Sequence, residues 1–191
     1  MIRRCAVLAI ALVALVAGCT APDRTSPAPI PTTSPNTTDI AWLQLLIAMN
    51  ERLLPVLDLA SGRASDPAVQ KFVSLSRQAR QAELVSLHGL AAGVTMPTDN
   101  PHLQHDMPGM TTAAQRDALA RTRGNDFERK LTAAVRAHLD QASRLCAGER
   151  NAGADPAFRS LAETIARSVD EERARASALD ARAASLSPRP G

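Results

Sequence analysis

The chain has 191 residues, a length that suits one domain with an appendage, and its 45% apolar content can fill a core. One tryptophan, three phenylalanines and no tyrosine leave little on which to stack sugars or nucleobases. The formal charge of +3 is a small excess, so nucleic acid is not an expected partner.

Residues 1–18 read as a secretory leader, with Arg3 and Arg4 ahead of the apolar run Ala6–Val16. That run is short for a membrane-spanning helix. It ends in Val16-Ala17-Gly18-Cys19, which resembles the lipobox of bacterial lipoproteins. The resemblance implies cleavage before Cys19, a diacylglycerol on its sulfur and a mature chain held at the outer face of the bacterial cell membrane. Arg3 and Arg4 leave with the leader, and most of the basic excess leaves with them. Cys5 is lost too, so a lipidated Cys19 leaves Cys146 with no intrachain disulfide partner.

Residues 19–38 hold five prolines among Thr, Ser and Asn, a composition that predicts a solvated, extended tether. Asn36-Thr37-Thr38 matches the glycosylation sequon, which carries little weight behind a bacterial leader. The body is expected over 39–186, and residues 187–191, with two prolines, are expected to fray.

Within the body, apolar spacing predicts four long helices. The first runs from about Asp39 to Ser61 through Leu43, Leu46, Ile47, Leu53, Leu54 and Leu57, with a kink expected at Pro55. The second opens on the cap pair Asp66-Pro67 and runs to about Ala92, before Gly93. Its stripe is Val69, Phe72, Val73, Ser76, Ala79, Glu83, Leu87 and Leu90. A crossover follows over 93–124, with a short helix expected at Thr112–Arg123. The third long helix covers about Asn125–Ala147, along Phe127, Leu131, Val135, His138, Ala142 and Leu145. The fourth opens on a second cap pair, Asp155-Pro156, and carries Phe158, Leu161, Ile165, Val169, Glu172, Ala176 and Leu179. No segment alternates with period two, so no sheet is expected.

A displacement of 89 residues exposes a repeat. Asp66-Pro67-Ala68-Val69 falls on Asp155-Pro156-Ala157-Phe158, Glu83 on Glu172 and Leu90 on Leu179. Two like helical hairpins joined by one long crossover predict an all-α, ferritin-like four-helix bundle.

This layout, with Met107-Pro108-Gly109-Met110 between the halves, resembles the bacterial family called domain of unknown function 305 over roughly Asp39–Leu179. The resemblance implies a ferritin-like, exported protein and an association with copper. The family's hallmark is a His-His pair in the first helix of each hairpin. Here the first pair falls on Met49-Asn50 and the second on His138-Leu139, so one of four hallmark histidines is present. Glu83 and Glu172 stand where the family carries a carboxylate in helices two and four.

Two constellations could carry chemistry. Met96, His102, His105, Met107 and Met110 crowd the crossover, and thioether sulfur with imidazole suits Cu(I). The alternative reading makes the methionines adaptable apolar plugs that pin the crossover down. In the bundle, Glu83, His138 and Glu172 are candidate metal ligands beside Met49 or Asn50. The alternative there is a buried polar network, with His138 bonded to a glutamate and Asn50 in a vacated ligand place. No Glu-x-x-His occurs, so a di-iron oxidase is rejected. Cys146 reads as a packing residue and His88 as an exposed one. No catalytic constellation is found. The leading expectation is a membrane-anchored binding protein for copper, and the alternative a metal-free helical interaction or structural module.

Overall fold

The computed structural model describes residues 34–97, 100, 102 and 106–186. The leader, Cys19, His105 and the tail 187–191 lie outside the described residues. Among those described, the chain is all-helical, with five helices and no strand: α1 (Thr37–Asp58), α2 (Pro67–Ala92), α3 (Ala113–Ala120), α4 (Gly124–Ala152) and α5 (Pro156–Leu186).

Helix α1 starts two residues before the expected Asp39, because Asn36 builds a capping box. Its Oδ1 accepts from the N–H groups of Thr38 at 2.8 Å and Asp39 at 3.0 Å, and its own N–H donates to Asp39 at 2.6 Å. The amide nitrogen of Asn36 donates to the Ala152 carbonyl at 2.9 Å. The sequon asparagine is therefore a structural cap, and the last residues assigned to the tether belong to the fold. Pro55 does not end the helix, which continues through it to Asp58.

Every residue from Trp42 to Asn50 is buried, which is more than an amphipathic stripe would hide. Helix α1 packs against α2, α4 and α5, and the crossover closes over it. Asn100 Nδ2 donates to the Gln44 carbonyl at 2.8 Å, and Arg52 pairs with Asp106 at 3.1 Å. Helix α1 is also the one described helix long and apolar enough to cross a membrane, yet most of that segment is buried inside the fold.

The two cap pairs behave as expected. Asp66 Oδ1 accepts from Ala68 N–H at 2.7 Å, and Asp155 Oδ1 from Ala157 N–H at 2.7 Å, ahead of prolines in the first helical turn. Helix α3 is shorter than expected, held by a Thr112–Gln115 capping box. Helix α4 runs five residues past the expected Ala147. Contacts join α1 to α2 and α4 to α5, then α1 to α4 and α2 to α5.

A second layer of capping ties the halves together. Glu128 on α4 accepts from the N–H groups of Ser65 at 2.6 Å and Asp66 at 2.9 Å, at the start of α2. Asp39 on α1 accepts from those of Ala154 at 3.1 Å and Asp155 at 3.3 Å, at the start of α5. These residues correspond under the same 89-residue displacement. Each half thus caps the other.

Candidate functional site

The interior polar residues come from all four long helices. Phe72, Ser76, Arg80, Glu83 and Leu87 form the buried face of α2, and Arg80 has no exposed surface. Ala79, which the expected stripe includes, is half-buried, and its neighbour Arg80 takes the interior place. The available signal was spacing: Arg80 lies four residues after Ser76 and three before Glu83, on one helical face.

Arg80 is the hub. Its Nη2 donates to Glu83 Oε1 at 2.6 Å and to Glu172 Oε1 at 2.7 Å, joining α2 to α5. Asn50 Nδ2 on α1 donates to Glu83 Oε2 at 3.0 Å. Glu83, Glu172, Asn50 and His138 are all buried. Asn50, Glu83 and Glu172 thus join a buried polar network organised around Arg80, a cation outside the expected set. His138 departs from its expected place, because neither ring nitrogen bonds to a glutamate.

The charges follow from this geometry. Burial pushes the Glu83 carboxyl above the ordinary range, opposed by the Arg80 charge and the Asn50 hydrogen bond. Burial also raises Glu172, opposed by Arg80 and Ser76. His138 lies well below its usual range, first through burial and then through the Arg80 charge, so it is neutral. Two carboxylates of raised pKa share one guanidinium. Removing one member of such a buried pair costs about 3–5 kcal/mol, because the partner stays buried and charged.

The crossover methionines divide. Met110 is buried in the core, and Met96 and Met107 pack against it half-buried. The Met110 N–H donates to the Met107 carbonyl at 3.0 Å, closing a turn through Gly109 at φ +82°. A Cβ at Gly109 would stand 2.7 Å from the Ala137 carbonyl, so this turn lies flat on α4. Met107 and Met110 line one cavity of about 690 Å³ with Leu119, Ala133, Ala134 and Ala137. His102 belongs to a different stretch, in which its N–H donates to Asn100 Oδ1 at 3.0 Å and Asn100 bonds α1. Among the described residues, no three His, Cys, Asp or Glu side chains are grouped so that they could hold a metal ion.

A second acidic site lies outside the expected constellations. Glu149 and Asp39 face each other where α1 begins and α4 ends, both buried. Burial, and then the hydrogen bond and charge of Asp39, push Glu149 up to about 8. Burial also works to raise Asp39, but the hydrogen bonds from Glu149, Asn36, Ala154 and Asp155 outweigh it and hold Asp39 below its ordinary value. At neutral pH these shifts leave Glu149 protonated beside an ionised Asp39.

Cys146 is buried and its thiol is pushed up to about 12, chiefly by burial, so it is an inert packing residue at neutral pH. His88 is exposed, 3.9 Å from Glu51.

The sequence pattern of the family described as Domain of unknown function (DUF305) matches residues 39–179. Two solved structures of that family share the fold. One is the "putative secreted protein DUF305" of Streptomyces coelicolor, at 17% identity and a TM-score of 0.66, covering 76% of this chain and 93% of the other. The second is a DUF305 fragment from Deinococcus radiodurans, at 13% identity and a TM-score of 0.70, covering 78% and 99%. No curated protein matches.

Proposed function

The chain belongs to the DUF305 family, and from that premise we propose that it is an exported, lipid-anchored helical module whose interior holds an ion network in the place of a metal. It acts as an interaction or structural scaffold of the bacterial envelope. The observation that carries this reading is Arg80, whose guanidinium donates to both Glu83 and Glu172. A metal ion at Glu83, His138 and Glu172 would have to sit beside that guanidinium, and like charges in a buried site repel strongly. The donor set does not fit a second cation.

The pairing of α1 with α2 and of α4 with α5, crossed by α1–α4 and α2–α5 contacts, supports a ferritin-like bundle of two repeated hairpins. The reciprocal Asp39 and Glu128 caps support the repeat. Export is supported by the leader pattern and by the Streptomyces relative described as a "putative secreted protein", and anchoring by Ala17-Gly18-Cys19.

The test is metal content together with the mass of the mature N-terminus. The full chain, expressed under copper challenge and purified without a chelating tag, is expected to carry no stoichiometric metal. Its N-terminal peptide is expected to begin at a lipid-modified Cys19. Copper at one equivalent would overturn the metal-free reading, and an unmodified Cys19 the anchored one.

One observation favours a second reading, a Cu(I) site on the crossover. Met107 and Met110 line the same cavity and are joined by a tight turn. Cuprous-ion titration separates the two readings. Saturable binding lost in Met107→Ser/Met110→Ser supports the crossover site, and binding indistinguishable from that variant removes it.

A further inference from the structure

Arg80 has more donors than its two glutamates use. Nη2 serves both carboxylates, while Nε and Nη1 have no hydrogen-bond partner among the described residues. Both ring nitrogens of His138 and Oδ1 of Asn50 are in the same condition. These five atoms sit on residues with no exposed surface, on α1, α2 and α4. They are also close in the fold: Asn50 and Arg80 bond the same Glu83, and His138 lies on α4, which packs against the α1 that carries Asn50. Five desolvated, unpaired polar atoms together would cost as much as the whole stability of a domain this size. Native interiors satisfy such groups with an ordered guest.

The chemistry of the set selects that guest. A cation would lie against the guanidinium, an anion against Glu83 and Glu172, and an apolar molecule would satisfy nothing. Arg80 supplies donors, Asn50 Oδ1 an acceptor, and neutral His138 one of each. What fits is small, uncharged and able both to donate and to accept.

We infer that the bundle interior bounded by Asn50, Arg80 and His138 is a hydration site holding about two water molecules that bridge these three side chains. The repeat supports this independently. The residues that correspond to Asn50, Arg80 and His138 across the 89-residue displacement are Leu139, Val169 and Met49. All three are buried and apolar. One side of the interior is wet and its counterpart is dry.

The inference rests on the metal-free reading of this interior, and the experiment separates the two. A high-resolution crystal structure of the full chain, with anomalous data, is expected to show light-atom density within hydrogen-bonding distance of His138 and of Arg80 Nε. An anomalous scatterer on His138 would overturn both readings. A dry interior, with these groups turned onto protein partners, would overturn the hydration site alone. His138→Met and Asn50→Leu import the residues of the dry side, and each is expected to lose water density at the substituted residue. Density unchanged in both variants also overturns the assignment. In solution, the ring N–H of His138 is expected to show a water cross-relaxation peak, and its absence counts against the site in the same way.

Discussion

The two halves of this molecule have one plan and two interiors. Asp39 caps the start of α5 as Glu128 caps the start of α2, and Asp155 repeats the cap made by Asp66. Away from those caps the halves diverge. Arg80 answers Val169, His138 answers Met49, and Glu149 answers Ala60. Both halves keep the contacts that close their turns, because unpaired N–H groups at a buried helix start are costly. Interior side chains can differ between the halves, provided each set is satisfied by its own neighbours. The pair at 149 and 153 shows such local compensation. Glu149 leaves no room for a Cβ at residue 153, which is glycine, whereas in the other half Ala60 stands with Ala64.

Making the halves alike at residue 80 is expected to have the largest effect. Arg80→Val leaves Glu83 and Glu172 buried without their counter-charge and is expected to lose about 3–5 kcal/mol in denaturant unfolding. The triple variant Arg80→Val/Glu83→Leu/Glu172→Leu removes the charges together and is expected to recover most of that loss. A triple variant no more stable than Arg80→Val would show that the network does more than balance its own charge.

The Asp39–Glu149 contact has no equivalent in the other half and gives this end its own pH dependence. Burial beside Asp39 pushes Glu149 up to about 8 in the fold from an ordinary 4.5, so the folded chain holds the proton more tightly. Its stabilisation is complete below the unfolded value and is lost as pH rises from about 4.5 to about 8, by up to about 1.4 kcal/mol per pH unit. Asp39, which titrates low, works in the opposite direction, and its contribution is lost only as pH falls below 3.8. Arg159 and Asp155 also face Glu149 and are retained in the test. Glu149→Gln is expected to flatten the unfolding midpoint between pH 5 and 8, and an unchanged slope would place the proton elsewhere.

Gly153→Ala drives a methyl group into Glu149 and is expected to cost about 1–3 kcal/mol. Glu149→Ala/Gly153→Ala copies Ala60 and Ala64 and is expected to restore only the part of the loss that belongs to the Glu149 side chain, since the Glu149 carbonyl stays 2.7 Å from the new Cβ; a double-mutant cycle measures that part. The smallest effect is expected at the matched caps. Glu128→Ala frees the N–H groups of Ser65 and Asp66 and is expected to cost about 1 kcal/mol. Amide exchange at Ser65 and Asp66, compared with Ala154 and Asp155, shows whether that loosening stays in one half.

Much of this architecture was legible in the sequence. The Asp-Pro pairs mark where α2 and α5 begin, since an Asp cap and a proline in the first turn act through local backbone geometry alone. The helical type of every long segment followed from apolar spacing, and the family span 39–179 coincides with the segment that carried the resemblance. Helix ends were less legible. The start of α1 is set by the local Asn36–Asp39 capping box, which the sequon reading obscures, whereas the reach of α4 depends on α1 and α5 packing beside it.

The polar interior was half legible. Asn50, Glu83, His138 and Glu172 stood out as polar residues on apolar stripes, and they are buried as expected. Arg80 did not stand out, because an arginine one residue from an alanine on a helix reads as a solvent-facing neighbour. Only two glutamates from different helices, brought within hydrogen-bonding distance, make its burial favourable. The same holds for Glu149, whose proton depends on Asp39, 110 positions away in the chain.

The chain by itself therefore determined what short-range physics controls: helix type and the two cap pairs. Tertiary structure decided which charges face one another, because burial and partner distance depend on helices far apart in sequence. A sequence lists charged residues one at a time, and only packing makes Arg80 the counter-ion of Glu83 and Glu172.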